Sequence, residues 1–325
     1  MSNGGGFFAV IALLCAGCGA TQTGTTAPTA AAIASDAAYD FEHVRADWWQ
    51  DGDEACPNDS YVQWNGLEVV CLRYDGVEHG PYASWHVNGQ IAKQGLYRNG
   101  KLTGSWHEYY ESGRDKATYA YRSGVKRGEW TMWHPLGHKE VEIRYVDGKV
   151  DGEWTLWHDN GQKSWQGQCR LGKMHGSSTS WDRDGRKTQT VNHENAETDG
   201  PFAAYHDNGQ IAAQGTYKKE KLTGDWTAWH ENGKTLARGT YINGRRSGEW
   251  TFYYENGNER LAGNYREGVL DGTLVAWDRD GKVMRQDTYI AGRLDSGAEP
   301  IQLNASDAAA ETTTIEMEAG ARIEK

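Results

Sequence analysis

One glycine recurs every 24 residues, and this period constrains the fold more than any other feature of the sequence. The glycine begins nine consecutive units, at Gly80, Gly104, Gly128, Gly152, Gly176, Gly200, Gly224, Gly248 and Gly272. When it is counted as position zero, every unit has a second glycine at position nine and an aromatic residue at position five. A register kept over nine units without an insertion indicates an array of equivalent structural repeats.

Each repeat has the sequence pattern of a β-hairpin, G-x-W-x-x-W-H-x-N-G-Q-x-x-x-x-G-x-Y-x-x-G in its fullest form. Asn-Gly or Asp-Gly at positions eight and nine predicts a two-residue type I′ turn, because these residues accept positive φ angles. A second turn is predicted at position twenty, as in Asn99-Gly100. The pattern therefore predicts an all-β fold in which consecutive hairpins continue as an antiparallel meander.

The predicted turn also sets the pairing within each hairpin. A loop at Asn160-Gly161 places Trp154 opposite Gly167, and a large ring is expected to cover the bare glycine across the strand pair. The same arithmetic gives three further pairs, Tyr82 with Gly95, Trp226 with Gly239 and Trp250 with Gly263. Positions two and five are an odd number apart. Either both faces of the sheet carry aromatic rings, or a bulge brings the two rings together.

The repeat pattern resembles the MORN repeat (membrane occupation and recognition nexus) in its bacterial variant form. The resemblance covers about residues 56–294, and it rests on nine units in register. It implies an elongated, twisted, largely single-layer antiparallel sheet that serves as a binding or scaffolding surface. Some proteins of this variant are labelled antitoxins, which implies a second alternative function, the neutralisation of a partner toxin.

The amino terminus has the features of an export signal. An apolar run from Phe7 to Gly17 is too short to span a bilayer but fits a signal peptide. It ends in Leu14-Cys15-Ala16-Gly17-Cys18, which resembles a bacterial lipobox with Cys18 as the lipidated residue, although residues 1–6 contain no Lys or Arg and Cys15 stands where Leu is usual. Gly19 after the anchor favours export to the outer membrane.

The remaining segments are assigned relative to the array at 80–294. Residues 1–18 are interpreted as the lipoprotein signal peptide, 19–55 as a flexible tether leading to the cap, 56–79 as a degenerate capping hairpin with an Asn65-Gly66 turn, and 295–325 as a disordered tail. Cys56 and Cys71 are expected to form a disulfide in an oxidising compartment. Cys169 is left as an odd cysteine that we expect to be buried. The fifth repeat departs most from the pattern, and we predict a bend or a partner-specific patch there.

No metal, cofactor or catalytic site is predicted. Histidine occupies position six in five repeats, at His86, His134, His158, His206 and His230. Equivalent positions lie two strands apart, about 9.5 Å, whereas ligands of one zinc ion must converge to about 2.1 Å. The two Asp-Arg-Asp-Gly segments, at 182–185 and 278–281, lack the later ligands of a calcium loop and are interpreted as turns. The sequence contains no nucleophile elbow and no phosphate-binding loop.

These observations favour a membrane-anchored scaffold for protein–protein interaction at the bacterial cell envelope, without catalysis. A net charge of −11 and the absence of a basic run argue against nucleic acid as a partner. The alternative is a glycan or cell-wall binder, since rows of Trp and Tyr can stack on sugars. The candidate partner-binding residues are Trp85, Trp133, Trp157, Trp181, Trp229, Trp277 and His158.

Overall fold

The computed structural model describes residues 47–295, and within them the chain is almost entirely β-sheet. The expectations for the signal peptide, Cys18, the tether up to residue 46 and the tail after residue 295 lie outside the described residues. One 3₁₀ segment, Trp48–Ala55, precedes the strands, and no helix in the described part of the chain could cross a bilayer. The predicted all-β fold, an antiparallel meander of hairpins, is confirmed.

The chain divides into two compact units, and each is described by itself. The N-terminal unit takes in the described residues 47–163 together with 169–172. Its strands are β1 (Ser60–Asn65), β2 (Glu68–Arg73), β3 (Glu78–Trp85), β4 (Ile91–Arg98), β5 (Lys101–Tyr109), β6 (Asp115–Arg122), β7 (Val125–Trp133), β8 (Lys139–Val146) and β9 (Lys149–Trp157).

The C-terminal unit takes in residues 164–168 and the described residues from 173 onward. Two strands lie where the chain passes between the units, β10 (Lys163–Arg170) and β11 (Lys173–Met174). The strands that follow are β12 (Gly176–Trp181), β13 (Lys187–Glu194), β14 (Glu197–Tyr205), β15 (Ile211–Lys218), β16 (Lys221–Trp229), β17 (Thr235–Ile242), β18 (Arg245–Tyr253), β19 (Glu259–Arg266), β20 (Val269–Trp277), β21 (Val283–Ile290) and β22 (Arg293–Leu294).

The first turn of each repeat, at positions eight and nine, does not have the predicted type I′ geometry. At Asn232-Gly233 only the glycine has positive φ, and the Gly233 N–H donates to the His230 carbonyl at 2.9 Å. This is a longer turn in which glycine follows a type I bend, so the predicted type I′ turn is wrong here. The type I′ geometry occurs instead at the second turn, where Asn243 and Gly244 both have positive φ and Ile242 pairs with Arg245.

The glycine at position zero makes a bulge between successive hairpins. In β15 and β16 the register shifts so that Gly224, Asp225 and Trp226 lie opposite Gly215 alone. Gly224 has φ 70°, which allows this excursion without the strain that a side chain would add. The bulge swings the ring at position two back over the preceding strand.

At Gly95 and Gly239 the ring over the position-fifteen glycine therefore comes from the following repeat, whereas Gly215 lies against rings from both repeats and Gly263 against two leucines. The facing pairs predicted for Gly95, Gly239 and Gly263 are present, as with Trp226 opposite Gly239. However, a Cβ added to Gly239 would collide with the ring of Trp250, and one added to Gly95 would collide with Trp106. At Gly95 and Gly239 the expectation that the facing ring does the covering is wrong, because the register shift at position zero brings the next ring onto the glycine.

The N-terminal end of the sheet is closed by covalent and polar contacts. Cys56 and Cys71 form a disulfide with a Cα–Cα distance of 5.6 Å, and Trp48 is buried beside it. The carboxylate of Asp53 accepts a hydrogen bond from the Val62 N–H at 2.7 Å. The 3₁₀ segment thus supplies a hydrogen-bond partner to a backbone N–H of the edge strand β1. Cys169 is buried as expected, but it is disulfide-bonded, so the expectation of an odd cysteine is wrong.

Candidate interaction surface

The two aromatic rows of the repeat lie on opposite faces of their strands. In β16 the buried residues Trp226 and Ala228 alternate with Thr227 and Trp229, which are only half-buried. Side chains on a strand alternate between faces, so positions two and four share one face and positions three and five the other. Of the alternatives left open by the sequence, the structure therefore selects aromatic rings on both faces.

The position-two rings form the core. Trp106 and Trp250 are completely buried, and Trp226 is 4% exposed. The rings of successive repeats pack at close range, with Trp226 and Trp250 centroids 5.4 Å apart and Tyr241 edge-on to Trp250 at 4.9 Å. Burial raises the pKa of Tyr217, which packs beside this cluster, to about 12. These rings are occupied by packing and are not available to a partner.

The position-five rings are half-buried in all nine repeats, and each retains an accessible part. They are Trp85, Tyr109, Trp133, Trp157, Trp181, Tyr205, Trp229, Tyr253 and Trp277. This set contains all six predicted tryptophans, and it adds three tyrosines that belong to the same row. The row is a regular feature of the surface, with one ring in each hairpin.

Long polar side chains from the preceding hairpin lie against these rings. The Lys139 ammonium is 5.6 Å from the Trp157 ring centroid, and the Arg238 guanidinium is 5.5 Å from that of Tyr253. The Gln94 amide donates to the Tyr109 hydroxyl at 2.9 Å. Such cation–π contacts stabilise exposed pairs by roughly 0.5–1 kcal/mol. The row thus presents a mixed aromatic and polar surface rather than a bare apolar one.

The first ring of the row belongs to a tryptophan cluster that the sequence pattern does not reveal. Trp64 stacks on Trp85 with ring centroids 5.6 Å apart, and Trp49 meets Trp85 edge-on at 5.0 Å. Trp64 is 55% exposed. Both added tryptophans lie outside the 24-residue period, so periodicity alone could not assign them. The doublet Trp48-Trp49 ahead of Cys56 was the available signal.

Position six joins several repeats to the next, although the His134 Nε2 makes no hydrogen bond within the described residues. The imidazole Nε2 of His230 donates to the Tyr253 carbonyl at 3.1 Å, and that of His86 donates to the Tyr109 carbonyl at 2.9 Å. Tyrosine makes the same link through its hydroxyl, as Tyr110 does to the Trp133 carbonyl at 2.6 Å. The histidine row is therefore a structural link between hairpins in the repeats where it is seen.

We expect His230→Phe to lower the free energy of unfolding by about 1 kcal/mol, because the Tyr253 carbonyl loses its side-chain donor. The matched control is His230→Tyr, since tyrosine supplies this bond at position six of other repeats. Urea unfolding of the three proteins checks the prediction. Equal losses in both variants would contradict a hydrogen-bonding role.

The remaining predicted site features have structural roles or stay predictions. His158 and Asp159 both take part in interactions within the protein, and the assignment of His158 to a partner-binding surface stays a prediction. Among residues 47–295 no group of His, Cys, Asp or Glu side chains could hold a metal ion. The Asp182 carboxylate accepts bonds from the Asp184 and Arg186 backbone amides, which is the geometry of a turn.

The fifth repeat replaces the usual aromatic pair by a polar one. Ser178 stands at position two and His193 at position seventeen, and the Ser178 hydroxyl is 2.8 Å from His193 Nε2. Ser178 supplies no ring, and the ring of Trp165, two residues earlier on the same strand, lies over Gly167 instead. The predicted bend or partner-specific patch in this repeat stays a prediction.

Burial of the imidazole lowers the pKa of His193 below its ordinary value of 6.5. The unfolded chain therefore binds this proton at a higher pH than the folded chain does. The contribution of His193 to the free energy of unfolding is complete above about pH 6.5, and it is lost as the pH falls through the lower pKa of the folded state. We expect the free energy of unfolding to fall across this pH range in the wild type. In His193→Gln this part of the pH dependence should be absent. An unchanged pH slope in the variant would contradict this assignment.

Comparison with known protein families matches three consecutive repeats of the array. The model of the MORN repeat variant matches residues 198–219, 222–243 and 246–265, which correspond to the hairpins β14–β15, β16–β17 and β18–β19. The chain contains MORN repeats of the variant form. The boundaries between the matched MORN repeats fall at the two-residue type I′ turns. No curated protein matches the chain.

Solved structures show only a distant likeness to this MORN repeat array. The Glycosylation Associate Protein (Gap123) complex from Streptococcus agalactiae is 9% identical over 38% of this chain and 23% of that one, with a TM-score of 0.22. The accessory secretory protein 1, 2 and 3 structure from Streptococcus pneumoniae is 13% identical over 50% of this chain and 23% of that one, with a TM-score of 0.16. The chain thus spans under a quarter of either relative.

Proposed function

We propose that this chain is a lipid-anchored MORN repeat scaffold that binds a protein partner at the bacterial cell envelope, without catalysing a reaction. The observation that carries the proposal is the row of half-buried position-five rings, which recurs in all nine repeats. MORN repeats themselves suggest a repeat protein for protein interaction. The anchor rests on the resemblance of the segment ending at Cys18 to a lipobox.

The chemistry of the row suits recognition of a protein surface. Trp and Tyr are enriched among the residues that contribute most to protein interfaces, because they add a large contact area with few rotatable bonds. Equivalent rings two strands apart are spaced by about 9.5 Å, so an extended partner can meet several of them at once. The cations over the rings of Trp157 and Tyr253 add charged groups to the same surface.

Crosslinking and affinity capture of the anchored protein in its own cell envelope test the proposal. The decisive comparison is between the wild type and Trp229→Ala/Tyr253→Ala, which truncates two neighbouring rings of the row. We expect the captured partner to be reduced by at least about tenfold in the variant, as for the loss of a central aromatic contact. Thr223→Ala/Thr240→Ala, on the neighbouring strands β16 and β17, serves as the control.

Two further measurements separate this proposal from the alternatives. Saturable binding of peptidoglycan or polysaccharide to the 39–294 fragment, lost in the same double variant, would replace the protein partner by a glycan. Radiolabelled lipid should be incorporated into the wild type and not into Cys18→Ser. Incorporation that survives the substitution would overturn the anchor without affecting the assignment of the binding row.

A further inference from the structure

The eight Asn-Gly pairs within the described residues differ in how strongly the fold restrains them. Asn-Gly is the dipeptide in which the glycine nitrogen most readily attacks the preceding side-chain amide, because glycine has no side chain to hinder the approach. The pairs begin at Asn65, Asn88, Asn99, Asn160, Asn208, Asn232, Asn243 and Asn256. The reaction needs the asparagine side chain to turn toward the nitrogen and the glycine N–H to lose its proton.

Most pairs are held at both of these groups. The Asn232 amide donates to the Glu255 carbonyl at 2.9 Å, and its oxygen accepts from the Lys234 N–H at 2.9 Å. The Gly233 N–H is bonded to the His230 carbonyl at 2.9 Å. Asn88, Asn208 and Asn256 have the same set of three bonds. Each bond must break before the side chain and the nitrogen can meet.

The pairs at the type I′ turns are held at the glycine. The Gly244 N–H donates to the Leu222 carbonyl at 2.8 Å, although the Asn243 side chain makes no hydrogen bond within the described residues. The Gly100 N–H donates to the Glu78 carbonyl at 2.8 Å, and the Asn99 oxygen accepts from Arg73 as well.

Asn65-Gly66 differs from the other seven pairs in that both groups are unrestrained, since each of the other seven glycine N–H groups donates a hydrogen bond. Within residues 47–295 neither the Asn65 side chain nor the Gly66 N–H makes a hydrogen bond. Asn65 is exposed, and a Cβ built on Gly66 meets no atom within 4 Å. The reason lies in the register: Asn65 pairs with Glu68, so the two-residue loop is Gly66-Leu67 and begins one residue later than the predicted turn.

We propose that Asn65 is a site of selective, non-enzymatic deamidation in the folded protein. The Gly66 nitrogen gives its proton to solvent base and bonds to the Asn65 side-chain carbonyl carbon, and ammonia leaves to form a succinimide. Water then opens the ring at either carbonyl, which leaves an aspartate or an isoaspartate at position 65. No oxidant or further reactant is needed.

The product alters the capping hairpin in two ways. A carboxylate at position 65 stands directly opposite Glu68, and like charges at facing positions weaken strand pairing. An isoaspartate also lengthens the backbone by one carbon beside Trp64, whose ring stacks on Trp85. The modification therefore alters the backbone next to the ring that stacks on Trp85, the first residue of the position-five row.

Incubation of the folded, full-length protein in oxygen-18 water, followed by proteolysis and mass spectrometry, tests the proposal. We expect Asn65 to be converted at least about tenfold faster than Asn232 or Asn256, because several hydrogen bonds must break before the slower sites can react. The product at position 65 should contain one oxygen-18 atom from the water that opens the succinimide. A rate at any other pair equal to or above that of Asn65 would overturn the proposal.

Two controls separate the effect of the fold from that of the local sequence. In the reduced chain unfolded in urea the deamidation rates of the eight Asn-Gly pairs should become similar. If Asn65 exceeded the other pairs there by as much as in the folded protein, the proposal would also be overturned. The folded Asn65→Gln protein should form no product at position 65 and should keep an unchanged near-ultraviolet circular dichroism signal during the same incubation.

Discussion

Gly239→Ala is expected to lower the free energy of unfolding by about 3 kcal/mol, near the upper end for adding one methyl group to a packed core. The new Cβ would collide with the five-membered part of the Trp250 indole, which is completely buried and cannot move aside without displacing Tyr241 and Trp226. Chemical unfolding of the full chain measures the loss.

Gly248→Ala is the matched control for this prediction. Gly248 has φ 67°, and a Cβ there would meet no atom within 4 Å, so the expected cost is about 1–2 kcal/mol from backbone conformation alone. Combining Gly239→Ala with Trp250→Ala should cost less than the sum of the two single variants, because the second change removes the collision. Strict additivity would show that the ring does not lie over Gly239.

Trp250→Ala and Trp229→Ala should differ in how much stability they lose, and Trp229→Ala should also lose partner binding. Trp250 is completely buried at position two, and its truncation is expected to cost about 4 kcal/mol through lost burial and a residual cavity. Trp229 is half-buried at position five, so its truncation should cost about 1–2 kcal/mol. Partner binding should fall in Trp229→Ala under conditions where that protein is still folded.

Parallel unfolding and capture experiments on the two variants check this division. Equal losses of stability would contradict the assignment of the two rows to a buried and an accessible face. Full retention of partner binding by Trp229→Ala and by the double variant with Tyr253→Ala would leave the row without a binding role. The proposed function would then need another surface.

The pairing inside each hairpin could be predicted from the sequence, whereas the pairing between hairpins could not. Trp226 faces Gly239 as expected, because the residues that close a turn set the register of the strands beside it. Trp250 lies over Gly239 because the bulge at Gly248 shifts the register between β17 and β18. No residue count anticipates that shift, since it arises from the backbone conformation of one glycine.

The candidate site was predictable to a similar extent. The position-five row is visible in the period, but its half-exposure is not, since alternation along a strand does not say which face is covered. The role of His230 was also undetermined, because the carbonyl that it binds belongs to a residue 23 positions later. Trp49 and Trp64 extend the row at its first ring through contacts that no period contains.

The sequence by itself determined the repeat, its length of 24 residues, the all-β hairpin architecture and the two aromatic positions, because glycine and aromatic spacing directly reflect turn and strand geometry. Only the tertiary structure decided which ring covers which glycine, which row is buried and which Asn-Gly pair is unrestrained. These depend on contacts between neighbouring hairpins, where a shift of one or two residues changes every partner while the sequence pattern stays the same.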